Sequence, residues 1–404
     1  MRILYFGTVC DLKEYEKMLA GGREKASIAP IVFESSLLSG FRQNGIEMDV
    51  YSFPLIPMFP RSKWLWWGSK KEQLACGYAC TWLKTINLPI IKQFSRRLHG
   101  RHILKKWLKE HRGEECAVLS YSIPPFLVKD IVCLSRKYGV KCFALVTDLL
   151  RDMYVNAQDN SFVMFLKNHY LSQAIQWQGE YDGYVLLTEA MSEVINPEKP
   201  YIVMEGIADV SDVSLEETSE KAVPAGIMYA GLIEEKFGIL SLLDAFEDAA
   251  LPDTELWLFG HGNAADIVAE RAERNSKIRF FGRKLREEIQ EFEKKASLLV
   301  NPRNVSDEFT RYSFPSKTIE YMLSGTPTLT TKLRGIPEEY YPFLLLCEDN
   351  DRASLKQALI SAMSLSAEER EERGQRAKRF IVEKKNATKQ VGRVVQFIAE
   401  GLKL

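Results

Sequence analysis

The chain has 404 residues, enough for two domains with separate cores, and its 46% apolar and 27% charged residues are those of an ordinary water-soluble protein. Lys+Arg and Asp+Glu both number 54, so no global field directs it to nucleic acid. No run reaches the ~18 apolar residues of a membrane span, and the seven scattered cysteines read as reduced residues of a cytosolic protein.

The predicted elements alternate. RILYFG reads as a first buried strand rather than a leader, because it lacks a small-residue cleavage site and soon meets Asp11 and Lys13. SIAPIVFESSLLSGFRQNG reads as a helix with Phe33, Leu37, Leu38 and Phe41 on one side and a glycine stop. MDVYSF, CAVLSY, KCFALVT, YVLLT and YIVM follow as strands.

Within this half, Pro57–Arg112 holds 13 Lys/Arg against two acids, Glu72 and Glu110. PRSKWLWWGSKK sets Trp64, Trp66 and Trp67 beside Lys70 and Lys71, and the helical pattern that follows carries Arg96 and Arg97. Tryptophan at a headgroup boundary and cations facing anionic lipid are how a peripheral protein docks, so these seven residues form an expected docking set. The alternative is a solvated basic helix packed on its own core through Leu98, Leu104 and Trp107. His99 and His102 share a helix face but sit among cations, which argues against a metal site.

IADVSDVSLEETSEKAVPAG is acidic and poor in large apolar residues, which suits a linker. The expected division is an amino-terminal domain at 1–206, a linker at 207–224 and a carboxyl-terminal domain at 225–385. A last helix near 386–404 is expected to pack back on the first domain. In the second half GIMYAG, ELWLFGHG, RFFG, ASLLVNPR and TPTLTT read as strands and ILSLLDAF as a helix. Both halves are therefore α/β and Rossmann-like, with ligands expected at the carboxyl ends of the strands.

Three strand-to-loop junctions converge. MYAGLIEEKFGI has Gly231 at the strand end, Gly238 at the turn and Lys236 between them. LWLFGHG puts His261 on a glycine turn, where a turn role leads. LLVNPRNVSDEFTRYSFPSK brings Arg303, Arg311 and Lys317 toward the same edge. SFPSKTIEYMLSGTP then reads as a helix, and with Pro315 at its first position the cap falls on Phe314, which has no oxygen to offer. Free N–H groups at Ser316 and Lys317, with Lys236, Lys317 and Arg303 or Arg311 adding charge, suit a diphosphate. Glu320, one turn on, suits the vicinal hydroxyls of a ribose. The bland alternative is that water satisfies the N–H groups and Glu320 pairs with Lys317.

Taken together, YAGLIEEKFGILSLLDAF, LWLFGHG, FFGR, LLVNPR and SFPSKTIEYMLSGTP resemble the carboxyl half of family-4 retaining glycosyltransferases, nearest to bacterial enzymes of capsular and exopolysaccharide synthesis. The resemblance covers Gly226–Leu346 well and extends loosely into the first half. It implies the GT-B architecture, two Rossmann-like domains facing across an interdomain cleft. It further implies that Gly231, Lys236, Arg303, Ser316 and Lys317 hold the donor diphosphate and Glu320 the ribose. Arg311 and Tyr312 would lie near the donor sugar or phosphate, and Phe281, Arg283 and Leu285 near the base, largely through backbone. Two positions depart from the family. Tyr312 stands where the first glutamate of the Glu-x7-Glu motif falls, with Glu308 four residues earlier as a substitute. Gly231 stands where an arginine is frequent.

The implied reaction moves a sugar from a UDP- or GDP-sugar, a substrate rather than a cofactor, to a glycan or lipid-linked acceptor with retention. It needs no metal and no nucleic acid. In the first half Tyr121, Ser122 and Asp148 follow strands and are candidates to orient the acceptor, Asp148 being equally a cap or loop residue. The expected location is cytoplasmic, peripheral at the inner face of the membrane. An epimerase of similar build and a non-catalytic nucleotide-sugar-binding partner are the competing readings.

Overall fold

The computed structural model describes residues 1–20, 28–151, 161–210, 213–215 and 219–403, with backbone alone for 161–169. It divides into two compact units, Met1–Ile207 with Ala387–Leu404, and Ala208–Asn386.

In chain order the first unit runs β1 (Arg2–Gly7), α1 (Leu12–Leu19), α2 (Ala29–Gln43), β2 (Glu47–Ser52), β3 (Trp66–Trp67), β4 (Lys71–Gln73), β5 (Ala79–Trp82), β6 (Thr85–Ile86) and α3 (Ile91–Glu110). It continues with β7 (Cys116–Tyr121), α4 (Val128–Tyr138), β8 (Lys141–Val146), α5 (Ser161–Gln178), β9 (Gly183–Leu186), α6 (Ala190–Ile195) and β10 (Tyr201–Val203). The second unit has β11 (Ala225–Leu232), α7 (Ile239–Ala249), β12 (Thr254–His261), α8 (Ala265–Arg274), β13 (Ile278–Gly282), α9 (Arg286–Lys295) and β14 (Leu298–Asn301). After these come α10 (Lys317–Leu323), β15 (Thr328–Thr331), β16 (Leu345–Cys347), α11 (Arg352–Ser364) and α12 (Ala367–Lys384). The chain closes with α13 (Ala387–Gly401), which belongs to the first unit.

The first unit's sheet has the order β10-β9-β8-β7-β1-β2-β5-β4. Its strands pair in parallel except β4, which runs antiparallel along the edge. CAVLSY is buried at every position, as a parallel strand covered by helices on both faces must be. α13 lies against α2 so closely that a Cβ on Gly40 would meet Val391 at 2.4 Å. Val391, Val394 and Ile398 thereby join the core of Leu37, Leu38 and Phe41.

The second unit's sheet has the order β13-β12-β11-β14-β15-β16, all parallel. This is the doubly wound order, and its direction reverses between β11 and β14. Ile239, Leu242, Leu243 and Phe246 of α7 fill the core, matching their i, i+3, i+4, i+7 spacing. Ala208, inside the expected linker, is buried in this unit and donates its N–H to the carbonyl of Lys385 at 2.9 Å.

Candidate functional site

The second unit's sheet opens where its direction reverses. β11 and β14 pair only at Ile227 with Leu298 and Met228 with Leu299. Beyond that point Tyr321 of α10 takes the place of a strand. Its hydroxyl accepts from the Ala230 N–H at 2.8 Å and donates to the Ala230 carbonyl at 3.2 Å. Tyr321 is wholly buried and holds α10 under the mouth of the split.

Two loops flank that mouth. The loop after β11 turns at Gly238, whose φ of 79° suits glycine. A Cβ there would fall 1.8 Å from the Pro302 carbonyl oxygen of the loop after β14. This close approach brings Lys236 and Arg303 to one aromatic ring. Lys236 Nζ lies 5.1 Å and the Arg303 guanidinium 4.9 Å from the centre of Phe237. Lys236 also pairs with Glu234 at 2.9 Å but is largely exposed. Arg303 makes no side-chain hydrogen bond or ion pair among the described residues. Its burial pushes the guanidinium below its ordinary range, against the favourable fields of Tyr229 and Tyr321. A desolvated cation without a counter-ion is an unmet demand for an anion. Residues 301–318 also hold three buried polar atoms without a partner among the described residues: Asn301 Nδ2, Ser313 Oγ and Thr318 Oγ1.

The expected helix is there, but its start is displaced. The cap position is Ser316, not Phe314, and its side chain caps nothing. Phe314 is buried instead, packed 5.4 Å from the Tyr340 ring. The Thr318 N–H is satisfied by the Pro315 carbonyl at 2.8 Å, so the open donors are those of Ser316 and Lys317. With seven residues α10 has a short dipole, and most of the positive field belongs to Lys317, Lys236 and Arg303. Lys317 Nζ holds Glu320 Oε2 at 2.7 Å, the plain i,i+3 pair that was the alternative to ribose binding. Near them Glu293 of α9 is buried and its carboxyl is pushed up to about 7. Burial is the main cause, with Lys317 opposing and Glu320 adding to it.

The remaining expected residues are dispersed. Gly231 is held close by its neighbour, since a Cβ would meet the Tyr229 hydroxyl at 2.8 Å. His261 is exposed and serves the turn, its carbonyl accepting from the Ile233 N–H at 2.8 Å. Glu308 and Arg311 bound a short 3-10 turn, and Tyr312 is buried beneath the Arg311 guanidinium at 5.7 Å. Phe281 stacks on Phe259 at 4.6 Å, so its ring is spent on the core, while Arg283 and Leu285 are exposed.

In the first unit the corresponding reversal lies between β1 and β7. Glu34 of α2 is wholly buried there and accepts from the Tyr5 hydroxyl at 2.6 Å and the Thr8 N–H at 2.9 Å; Thr8 Oγ1 donates to it as well. Burial pushes its carboxyl up to about 7 against these donors. A Cβ on Gly7 would occupy the carboxylate's place. No motif in the sequence marks Glu34. Its only signal was an acid one residue from Phe33, inside the apolar stripe. Tyr121 is buried close to Glu34, and Ser122 beside it has a left-handed φ of 55° and a buried hydroxyl without a partner among the described residues. Asp148 is exposed after β8. Asp152, at the end of the same TDLLRD stretch, lies outside the described residues.

The expected docking set is broken up. Trp67 and Arg96 are buried, which removes them from any surface. Trp64 is half-buried with Lys63 5.6 Å from its ring. Lys70 pairs with Glu14, and Arg97 holds Asp130 at 2.6 Å. Trp66 and Lys71 are exposed.

Residues 224–364 match a family model described as glycosyl transferases group 1. Gly231, Lys236, Arg303, Ser316, Lys317 and Glu320 all fall inside the match. No curated protein matches the chain. Among solved structures it is similar to sucrose-phosphate synthase from Thermosynechococcus elongatus, at TM-score 0.63 and 14% identity over 99% of both chains. It is also similar to a lipopolysaccharide outer core galactosyltransferase, at TM-score 0.60 and 14% identity over 100% of both. A third is an Anabaena protein solved in complex with UDP, at TM-score 0.60 and 11% identity over 99% of this chain and 100% of that one. At such identities the likeness speaks for the fold, which is GT-B.

Proposed function

We propose that the chain is a retaining glycosyltransferase of the family-4 type, using a UDP- or GDP-sugar and a glycan or lipid-linked acceptor in surface polysaccharide synthesis. The observation that carries the reading is Arg303, a half-buried guanidinium without a counter-ion among the described residues, at the mouth of the β11–β14 split and within the segment that matches the group 1 family. A diphosphate supplies the missing charge. Lys236, Lys317 and the N–H groups of Ser316 and Lys317 share it, and Glu320 exchanges Lys317 for the ribose hydroxyls.

In this mechanism the bond from the anomeric carbon to the diphosphate oxygen breaks, and the electron pair leaves with the diphosphate. Fixed cations stabilise that charge without reorganising. The acceptor oxygen bonds the anomeric carbon on the same face, and its proton passes to a diphosphate oxygen. Tyr121, Ser122 and Asp148 are proposed to orient the acceptor. No protein nucleophile and no metal are assigned.

Tyr312, in place of the motif's first glutamate, favours one second reading, a nucleotide-sugar-binding partner without turnover. A panel of nucleotide sugars separates the two. Ligand-induced thermal shift followed by acceptor-dependent release of nucleoside diphosphate supports transfer. Binding without release under every acceptor supports the partner, sugar interconversion an epimerase, and binding of none removes the donor-site assignment.

A further inference from the structure

The first half of α3 is inside out. Lys92 and Arg96 are 6% and 3% exposed, while Phe94 between them is 61% exposed. Lys92 Nζ donates to the Ile56 carbonyl, and burial pulls its ammonium down to about 7. Arg96 donates to the Pro54 carbonyl at 2.7 Å and stands over the rings of Phe53 and Trp67. The opposite stripe, Ile91, Phe94 and Leu98 at i, i+3 and i+7, faces solvent.

The stripe is part of a wider patch. Trp66 of β3 lies opposite Ile86 of β6, and Trp66 is 67% exposed. The Ile86 N–H donates to Ser95 Oγ at 3.0 Å, which fixes this ribbon beside Phe94. Ile90, at the mouth of α3, is 73% exposed and held at a φ of 65°, a strained setting for a β-branched residue. Further along the same face of α3 the residues turn cationic: Arg101, His102, Lys105 and Lys109 are exposed. Arg101 is engaged by Asp130, whereas Lys105 and Lys109 have no ion pair among the described residues. Contiguous exposed apolar residues of this kind mark an interaction surface.

We infer that this face of the first unit docks on an anionic lipid bilayer, with Trp66, Ile90, Phe94 and Leu98 entering the interface and Lys105 and Lys109 meeting the headgroups. Among the described residues no helix is long and apolar enough to cross a membrane, so the contact lies on the surface. Charge complementarity selects the occupant. A second copy docked on the same face would set the exposed Arg101, Lys105 and Lys109 of one chain against those of the other. Anionic headgroups supply the opposite sign. The inference stands apart from sugar transfer, and its test reads no activity.

The test is co-sedimentation of the full chain with phosphatidylcholine vesicles, with and without phosphatidylglycerol. Binding to the anionic vesicles alone, lost with added salt, is expected. Lys105→Glu with Lys109→Glu should weaken it by roughly 25-fold or more, each cation being worth about fivefold. Phe94→Ser with Ile90→Ser should weaken it by at least about tenfold while the thermal midpoint stays that of the native chain. Equal binding to both vesicles, or native affinity in both double variants, overturns the inference. So does a concentration-dependent dimer that Phe94→Ser dissociates in the absence of any vesicle binding.

Discussion

The Arg303 guanidinium lies 4.9 Å from the centre of the Phe237 ring, and the ring is its main companion. Phe237 comes from the loop after β11 and Arg303 from the loop after β14, so the two strands that part at the switch point are rejoined by a cation–π contact. Such a contact tolerates a charge but does not neutralise it. The guanidinium is left with five donors and no acceptor among the described residues.

Replacing Arg303 by Leu should therefore split stability from binding. Removing a half-buried cation relieves its partial desolvation but gives up the contact with Phe237, and the ligand-free protein should keep its stability or gain up to about 1 kcal/mol. Affinity for UDP or GDP should fall by about 1.5–3 kcal/mol, the worth of charged hydrogen bonds. Denaturant midpoints read the stability of the free protein, and calorimetry reads the nucleotide affinity. A leucine variant that is less stable yet binds nucleotide as before would make Arg303 a structural residue.

The Lys317–Glu320 pair gives a second test, because each partner is expected to face a different part of the ligand. The pair is about one-third exposed on each side and is worth at most about 1 kcal/mol, so a ligand can displace it. Glu320→Ala should weaken nucleoside diphosphate by roughly tenfold while leaving inorganic pyrophosphate unchanged or slightly tighter. Lys317→Ala should weaken both, as should Lys236→Ala. Equal losses for both ligands in Glu320→Ala would remove the ribose assignment.

Gly238 carries the geometry that brings the two loops together. Alanine there is strained twice, by the positive φ and by a Cβ 1.8 Å from the Pro302 oxygen. The loops must part, at a cost of about 1–3 kcal/mol. Melting temperature and nucleotide affinity should fall together, since Lys236 and Arg303 move apart. A normal melting curve with normal affinity would mean that the loop approach is dispensable.

The two sheets were legible because their strands are short apolar runs between helical patterns, and CAVLSY and ILSLLDAF are buried where their spacing places them. The start of α10 was misplaced at Phe314 because Pro315 suits either a helix start or a preceding turn, and only packing against Tyr340 decides. Trp67 and Arg96 were assigned to a surface because composition does not say which way a side chain turns. A basic helix that buries Lys92 and Arg96 on carbonyls and rings reverses the usual rule. Glu34 was missed for the same reason: its partners Tyr5 and Thr8 are distant in sequence and meet it only through the sheet.

Glu34 sets a dependence of the first unit on pH. Its folded carboxyl titrates at about 7, above an unfolded value of 4.5, so the folded state binds the proton more tightly than the unfolded chain does. Stability from this group is therefore complete below about pH 4.5, declines as pH rises and is lost above about 7, a change of up to about 3 kcal/mol. Six of the seven tryptophans lie in the first unit, so fluorescence-detected denaturation reports mainly on it. The midpoint should fall between pH 5 and pH 7.5, and Glu34→Gln should flatten that fall. The amide keeps an oxygen for the Thr8 N–H, while the Tyr5 and Thr8 hydroxyls can turn to accept its hydrogens. A slope that survives the substitution unchanged would assign the pH dependence to other groups and leave Glu34 a fully ionised anchor of the loop after β1.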